Sequence, residues 1–261
     1  MNYTLITGAS SGIGEALMHE FASNGHPIVA VARNVVALEE VVAKHREMHD
    51  VDIIAIAKDL TQEGAVQELY DELKSRGIVV GILVNNAGVG YRSPFAEAPL
   101  DKLIEMIRLD IEALTRLTHA FLPDMVERNE GKILNLGSVA GFQPGPLMAV
   151  YHGAKAFVVS LSEALVIELQ DTNVTVTCLC PGPVDTNFFR RAGMEDARAH
   201  SPAVLMEPEK VAHEGYKGLM DGERIVMPGF SNKAMTFSRR IMSKAMQARI
   251  QKEFYESKEE E

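Results

Sequence analysis

Thr7-Gly8-Ala9-Ser10-Ser11-Gly12-Ile13-Gly14 joins a short apolar run, residues 3–7, to a stretch where Ile13, Leu17 and Phe21 recur at helical spacing. Glycines let a chain turn sharply and bring backbone N–H groups close to a phosphate, and the helix behind them presents its positive end to the anion. Gly8, Ser10, Ser11, Gly12, Ile13 and Gly14 are therefore candidate contacts of a pyrophosphate. Their Gly-x3-Gly-x-Gly spacing differs from the Gly-x-Gly-x2-Gly of the longer dinucleotide folds. A strand, a glycine loop and a helix in that order begin a βαβ unit.

The same rhythm continues outward. Strand-like runs at 27–32, 52–57, 79–84, 131–136, 174–179 and 224–227 alternate with helical stretches at 35–49, 62–76, 99–128 and 150–170. Such alternation needs crossover helices, which predicts an α/β fold: a Rossmann-type, doubly wound parallel sheet of about seven strands with helices on both faces. With no internal repeat or linker, residues 1–261 read as one domain. Residues 183–208 break the rhythm, carrying Phe188, Phe189, Gly193, Pro202 and Pro208 without a period. An excursion after a strand's carboxyl end is where these sheets keep a substrate-covering loop. Residues 231–261 read as a helical tail, basic at Lys233, Arg239, Arg240, Lys244, Arg249 and Lys252, and ending in three glutamates at 259–261. A solvated or subunit-packing helix fits it better than attachment to an anionic membrane.

Composition narrows the class. The chain is 46% apolar and 24% charged, which suits a globular protein rather than a disordered one. A formal charge of -10 repels a phosphate backbone, so no nucleic acid partner is expected. Cys178 and Cys180, two apart in a strand, are too constrained for an ordinary disulfide and read as small buried hydrophobes. A reducing, cytoplasmic compartment follows as the expectation. No uninterrupted apolar run reaches the ~20 residues that span a bilayer, so no transmembrane segment is expected. The eight histidines are read as unpaired at metal-ligand spacing, and no metal is expected.

The second strand ends in Val31-Ala32-Arg33-Asn34. A carboxylate at that place would accept from an adenosine ribose diol and repel a 2′-phosphate. Arg33 instead offers a guanidinium, so NADP is expected over NAD. Asp59-Leu60 follows the third strand, suited to an adenine amino group, and Asn85-Asn86-Ala87-Gly88 follows the fourth, small and polar where a nucleotide would lie.

Ser138 follows the fifth strand, while Tyr151 and Lys155 stand one helical turn apart on the next helix. Moving hydride at a carbon needs a group that gives a proton to, or takes it from, the attached oxygen. A phenol with a pKa of ~10 does this poorly until a neighbouring ammonium favours its anion; lowering it to about 7 corresponds to roughly 4 kcal/mol. Ser138 would hold the substrate oxygen. His152 points about 100° away from Tyr151 around the helix and is read as an ordinary helical histidine. Ser138 lacks the Gly-x-Ser-x-Gly elbow of a hydrolase.

These residues together resemble the short-chain dehydrogenase/reductase family over nearly the whole chain. Residues 7–14 match its TGxxxGIG loop, residues 85–88 its NNAG element, and Ser138 with Tyr151-x3-Lys155 its catalytic motif. Pro181, Gly182, Val184 and Thr186 match the segment that in the family contacts the nicotinamide end, and residues 141–151 resemble a bacterial branch of undefined substrate. The resemblance implies the Rossmann-type fold, NAD(P), Tyr151 as general acid/base, cofactor contacts by Tyr151 and Lys155, and a homodimer or homotetramer. One position departs. Where the family usually carries a fourth catalytic residue, asparagine, Leu109-Asp110-Ile111-Glu112-Ala113-Leu114 has Asp110. A carboxylate beside Tyr151 opposes the phenolate, so Asp110 is expected to be protonated or turned toward Lys155. The leading reading is an NADP(H)-dependent oxidoreductase acting on a carbonyl or secondary alcohol. The alternatives are an NADP-binding sensor or scaffold weakened by Asp110, and an NAD-dependent alcohol dehydrogenase. Phe142 and Phe188, with Ser138, are the expected substrate contacts in an apolar pocket.

Overall fold

In the computed structural model, which describes residues 2–229, 232 and 242–257, the apolar runs become seven strands of one sheet. They are β1 (Asn2–Thr7), β2 (Ile28–Ala32), β3 (Ile53–Ala57), β4 (Val79–Asn85), β5 (Gly131–Leu136), β6 (Val174–Leu179) and β7 (Ile225–Val226). Their order is β3-β2-β1-β4-β5-β6-β7, every pair parallel. The order reverses between β1 and β4, where open α/β sheets bind ligands outside their carboxyl ends.

Both faces are covered, so the inner strands are apolar throughout instead of alternating. Along β2, Ile28, Ala30 and Ala32 pack toward α1 (Gly12–Ser23), α2 (Val35–Met48) and α8 (Pro208–Met220). Val29 and Val31 face the other way, toward α3 (Ala65–Ser75), α5 (Leu114–Arg128) and α6 (Ala149–Glu168). The two-residue period thus divides one apolar run between two cores.

Three features differ from the sequence reading. The stretch expected as one helix over 99–128 is α4 (Leu100–Ile107), a π-helical turn at Arg108–Ala113, and α5. Residues 183–208 contain a short helix, α7 (Phe188–Arg191), and Val184 pairs in parallel with Met206. The third is α6: although no uninterrupted apolar run is that long, its 20 residues are long and apolar enough to cross a membrane by length and composition. In the fold α6 lies against β5 and β6. Of the tail, α9 (Lys244–Tyr255) is described, while Lys233, Arg239, Arg240 and residues 259–261 lie outside the described residues. Cys178 and Cys180 are fully buried free thiols, as their reading as small hydrophobes anticipates.

Candidate active site

The carboxyl edge of the sheet brings β1, β4, β5 and β6 to one place, and α6 delivers Tyr151 and Lys155 to it. Lys155 is 5% exposed, and its Nζ donates to the Leu136 carbonyl at 3.0 Å, which ties the side chain to the end of β5. The ammonium stands 5.7 Å from the centre of the Tyr151 ring. Asp110 reaches the same ammonium from the π-helical turn, with Oδ2 3.4 Å from Nζ. Its Oδ1 accepts from the Val89 N–H at 2.9 Å. The inserted residue of a π turn re-aims the side chains around it, and this one is 1% exposed. Of the two expected states, the geometry is the one turned toward Lys155.

Three opposing effects set the charges. Burial pushes the Asp110 carboxyl up, against the Lys155 ammonium and the Val89 N–H. Burial by itself would pull Lys155 down, but the Asp110 carboxylate and then Tyr151 more than reverse it, so the lysine sits above its ordinary value. Burial also raises the Tyr151 phenol; Lys155 and a hydrogen bond with Ser138 pull it down, and Asp110 adds to the rise. Lys155 does favour the phenolate, as anticipated from the sequence, but burial outweighs it. Ser138 caps a 3-10 turn, Val139–Phe142: its Oγ accepts from the Ala140 N–H at 3.1 Å and donates to the Pro181 carbonyl at 3.4 Å.

A groove of about 420 Å³ runs from the glycine loop across the ends of β2, β3 and β4. Gly8 (φ +68°) and Gly12 (φ +59°) hold a left-handed backbone that other residues rarely adopt. At Gly14 a Cβ would collide with the Gly8 carbonyl. Ser10 and Ile13 line the groove, and Ser11, the N-cap of α1, spends no side-chain hydrogen bond on capping. The first N–H groups of the helix have no intrahelical acceptors, so the cradle fits a pyrophosphate. Asn86 clamps the loop, its Nδ2 donating to the Thr7 carbonyl at 2.8 Å, and Ala87 and Gly88 line the groove beside it.

At the far end the expected specificity residues are already engaged. Arg33, with 63% of its side chain exposed, donates to Glu105 Oε1 at 3.0 Å. Asn34 caps α2, accepting from the Ala37 N–H at 3.2 Å. Asp59 accepts from the N–H and hydroxyl of Thr61 and from Gln62. Partial burial pushes its carboxyl up, but these bonds and Arg33 outweigh it and leave it below the usual value. Leu60 is buried at the groove wall.

A second cavity, about 390 Å³, opens beside Tyr151. Ile13, Asn86, Gly88, Leu136, Thr186 and Phe188 line both spaces, so the two join at the end of β5. Pro181, Gly182 and Val184 line the second cavity. Phe188 is where the sequence expects it, its ring 5.4 Å from that of Tyr151. Phe142 is not. The 3-10 turn after Ser138 carries its ring into the core beside Val158, Val159, Cys178 and Cys180, and Gln143 and Met148 line the cavity instead.

Sequence reading also missed the far wall, supplied by Ile250, Phe254 and Tyr255 of α9. His152 is more than a helical bystander. One ring nitrogen meets the Gln143 carbonyl at 2.8 Å and the other the Tyr255 hydroxyl at 2.9 Å, joining α6 to α9. No local motif marks residues that converge from a hundred positions away. Nor do the histidines stay apart as expected: away from this edge His19, His45 and His49 meet.

A sequence model of the family described as short chain dehydrogenase matches residues 2–197. The very-long-chain 3-oxoacyl-CoA reductase of Anas platyrhynchos is 35% identical over 194 residues, 72% of this chain; the chain spans 61% of that protein's length. A short-chain dehydrogenase from Sphingobium yanoikuyae in complex with NADPH has a TM-score of 0.81 at 32% identity, covering 92% of this chain and 94% of that one. A short chain dehydrogenase/reductase from Burkholderia phymatum in complex with NAD has a TM-score of 0.82 at 25% identity, covering 92% of each chain.

Proposed function

The chain belongs to the short-chain dehydrogenase family, and from that premise we propose that it is an NADPH-dependent reductase of hydrophobic carbonyl compounds in which Tyr151 gives up the proton. The observation that carries this reading is the Tyr151 phenol on the wall of the second cavity, with the Lys155 ammonium 5.7 Å from the centre of its ring and burial raising its pKa. A tyrosine kept protonated is a ready general acid for a carbonyl oxygen that gains negative charge. The dinucleotide, when bound, supplies the hydride.

The chain's own residues do the rest. Ser138 faces the same cavity and orients the carbonyl oxygen toward the phenol. Lys155, fixed by Leu136 and Asp110, keeps a positive charge beside the ring and stabilises the phenolate left behind. That Asp110 is paired with Lys155 supports turnover over a sensor or scaffold role. The glycine loop holds the pyrophosphate, and Arg33 leaves Glu105 to meet the 2′-phosphate, which favours NADPH over NADH.

Phe188, Met148, Met194 and Phe254 make the substrate cavity largely apolar. An acyl or aryl ketone suits it, and the reductase of Anas platyrhynchos, named for 3-oxoacyl chains, points to the same class. In this proposal residues 183–208 and α9 cover the substrate, and the protein works in the cytoplasm as a homodimer or homotetramer. The test is NADPH oxidation with a panel of apolar ketones, diketones and 3-oxoacyl thioesters, run beside Tyr151→Phe. Reduction lost by roughly 10²–10⁴ in the variant, with NADPH still bound, supports the reading; undiminished turnover overturns it.

A further inference from the structure

Three histidines that the reductase chemistry does not use face one another between α1 and α2. His45 and His49 stand one turn apart at the end of α2, and His19 reaches them from α1. Their ring nitrogens lie within 4.8 Å of one another. His49 Nε2 and His19 Nδ1 are 3.1 Å apart and share one proton. Two nitrogens bound to one tetrahedral zinc at ~2.0–2.1 Å would be about 3.3 Å apart. This pair already has the edge length of such a site, with a proton where the ion would sit.

The buried member gives the second, independent observation. His45 is 2% exposed, and neither of its ring nitrogens has a hydrogen-bond partner among the described residues. Buried imidazoles almost always find one. Burial first, then the Lys44 charge and the neighbouring His19, lower its pKa to about 4, with Glu15 acting the other way. It is therefore neutral at physiological pH and carries an unused lone pair. Glu15 completes the surroundings, its Oε1 4.0 Å from His45 Nε2 and 2.9 Å from Lys44 Nζ. A cavity of about 670 Å³ lined by Glu15, His19, Lys44 and His45 gives access from solvent.

We propose that His19, His45 and His49 bind one divalent transition-metal ion of the zinc class, clamping α1 to α2, with water or Glu15 in the fourth position. Three imidazoles select zinc, cobalt, nickel or copper over calcium and magnesium, which need oxygen ligands. The ion replaces the proton shared by His19 and His49 and pairs the idle nitrogen of His45. The site lies apart from Tyr151 and Lys155, and the proposal stands whether or not the chain reduces carbonyls.

The test uses chelator-stripped full-length protein titrated with Zn²⁺ by calorimetry and with Co²⁺ by visible absorption. The expected result is one ion per chain, four-coordinate cobalt bands, and a melting temperature raised by Zn²⁺. His49→Gln, at a partly exposed position, and His45→Gln are each expected to weaken binding by more than the roughly 10–100-fold that an outer-shell change costs. In both variants Zn²⁺ no longer raises the melting temperature. The proposal is overturned by parent protein that takes up no ion at micromolar Zn²⁺, or by variants that bind as tightly as the parent.

Discussion

Asp110 Oδ2 and Lys155 Nζ are 3.4 Å apart, both side chains buried, one on a π-helical turn and the other on the helix that carries Tyr151. The pair places a negative charge behind the ammonium that faces the phenol. It holds the lysine charged and at the same time resists the phenolate.

Asp110→Asn removes that resistance while keeping the shape and the acceptor for the Val89 N–H. In the parent, Asp110 helps hold the Tyr151 phenol above its ordinary value, and in the proposed mechanism reduction needs that phenol protonated. On that mechanism, reductase activity is expected at low pH and is lost as pH rises through the phenol's pKa. With the charge gone this alkaline limb is expected to move to lower pH. A pH–rate profile of kcat/KM for the two proteins checks it, and superimposable profiles would mean the charge has no role.

Arg33 and Glu105 give the second prediction. Their ion pair lies at the surface, with Arg33 63% and Glu105 29% exposed, and such pairs are worth about 0–1 kcal/mol. Freeing the guanidinium with Glu105→Gln should thus tighten NADPH by no more than about five-fold and leave NADH unchanged. Arg33→Ala should weaken NADPH far more than NADH. Fluorescence titration of both cofactors measures this; equal losses for the two would show that Arg33 does not read the 2′-phosphate.

The two phenylalanines assigned to substrate from the sequence should now behave differently. Phe188 lines the cavity against Tyr151, whereas Phe142 packs in the core beside Cys178 and Cys180. Phe188→Ala is expected to raise KM for bulky apolar substrates with little change in melting temperature. Phe142→Ala should leave KM alone and cost up to about 3–5 kcal/mol of stability, less in proportion to its partial exposure. Thermal melts beside steady-state kinetics separate the two, and a KM effect at Phe142 would return it to the site.

What the sequence made legible is what local physics controls. The glycine loop, the short apolar run that becomes β2 and the one-turn spacing of Tyr151 and Lys155 each depend on a few adjacent residues. Long-range pairings were out of reach: Arg33 with Glu105, His152 with Tyr255, and the α9 wall of the cavity. The π turn was hidden because an inserted residue leaves the apolar period of 99–128 nearly intact, yet it decides where Asp110 points. Phe142 was misplaced because one 3-10 turn reverses its direction. The one-turn spacing of His45 and His49 was there to be read, but only the fold brings His19 to it.

His45 carries the last prediction, one that concerns acid stability without added metal. Its pKa is about 4 in the folded protein against an ordinary 6.5, so between those values the unfolded chain binds a proton that the native state refuses. The stabilisation is present above about pH 6.5 and is lost as pH falls toward 4. Glu15 and Lys44 face the ring along with His19 and His49. Comparing His45→Gln with the parent cancels the contribution Glu15 makes to both. Chemical denaturation in the presence of a chelator, at pH 7, 5.5 and 4.5, should show the parent losing stability faster than the variant across the range. Parallel losses would mean that the folded protein protonates His45 as readily as the unfolded chain does, and that its ring is not shielded as the packing of α1 on α2 requires.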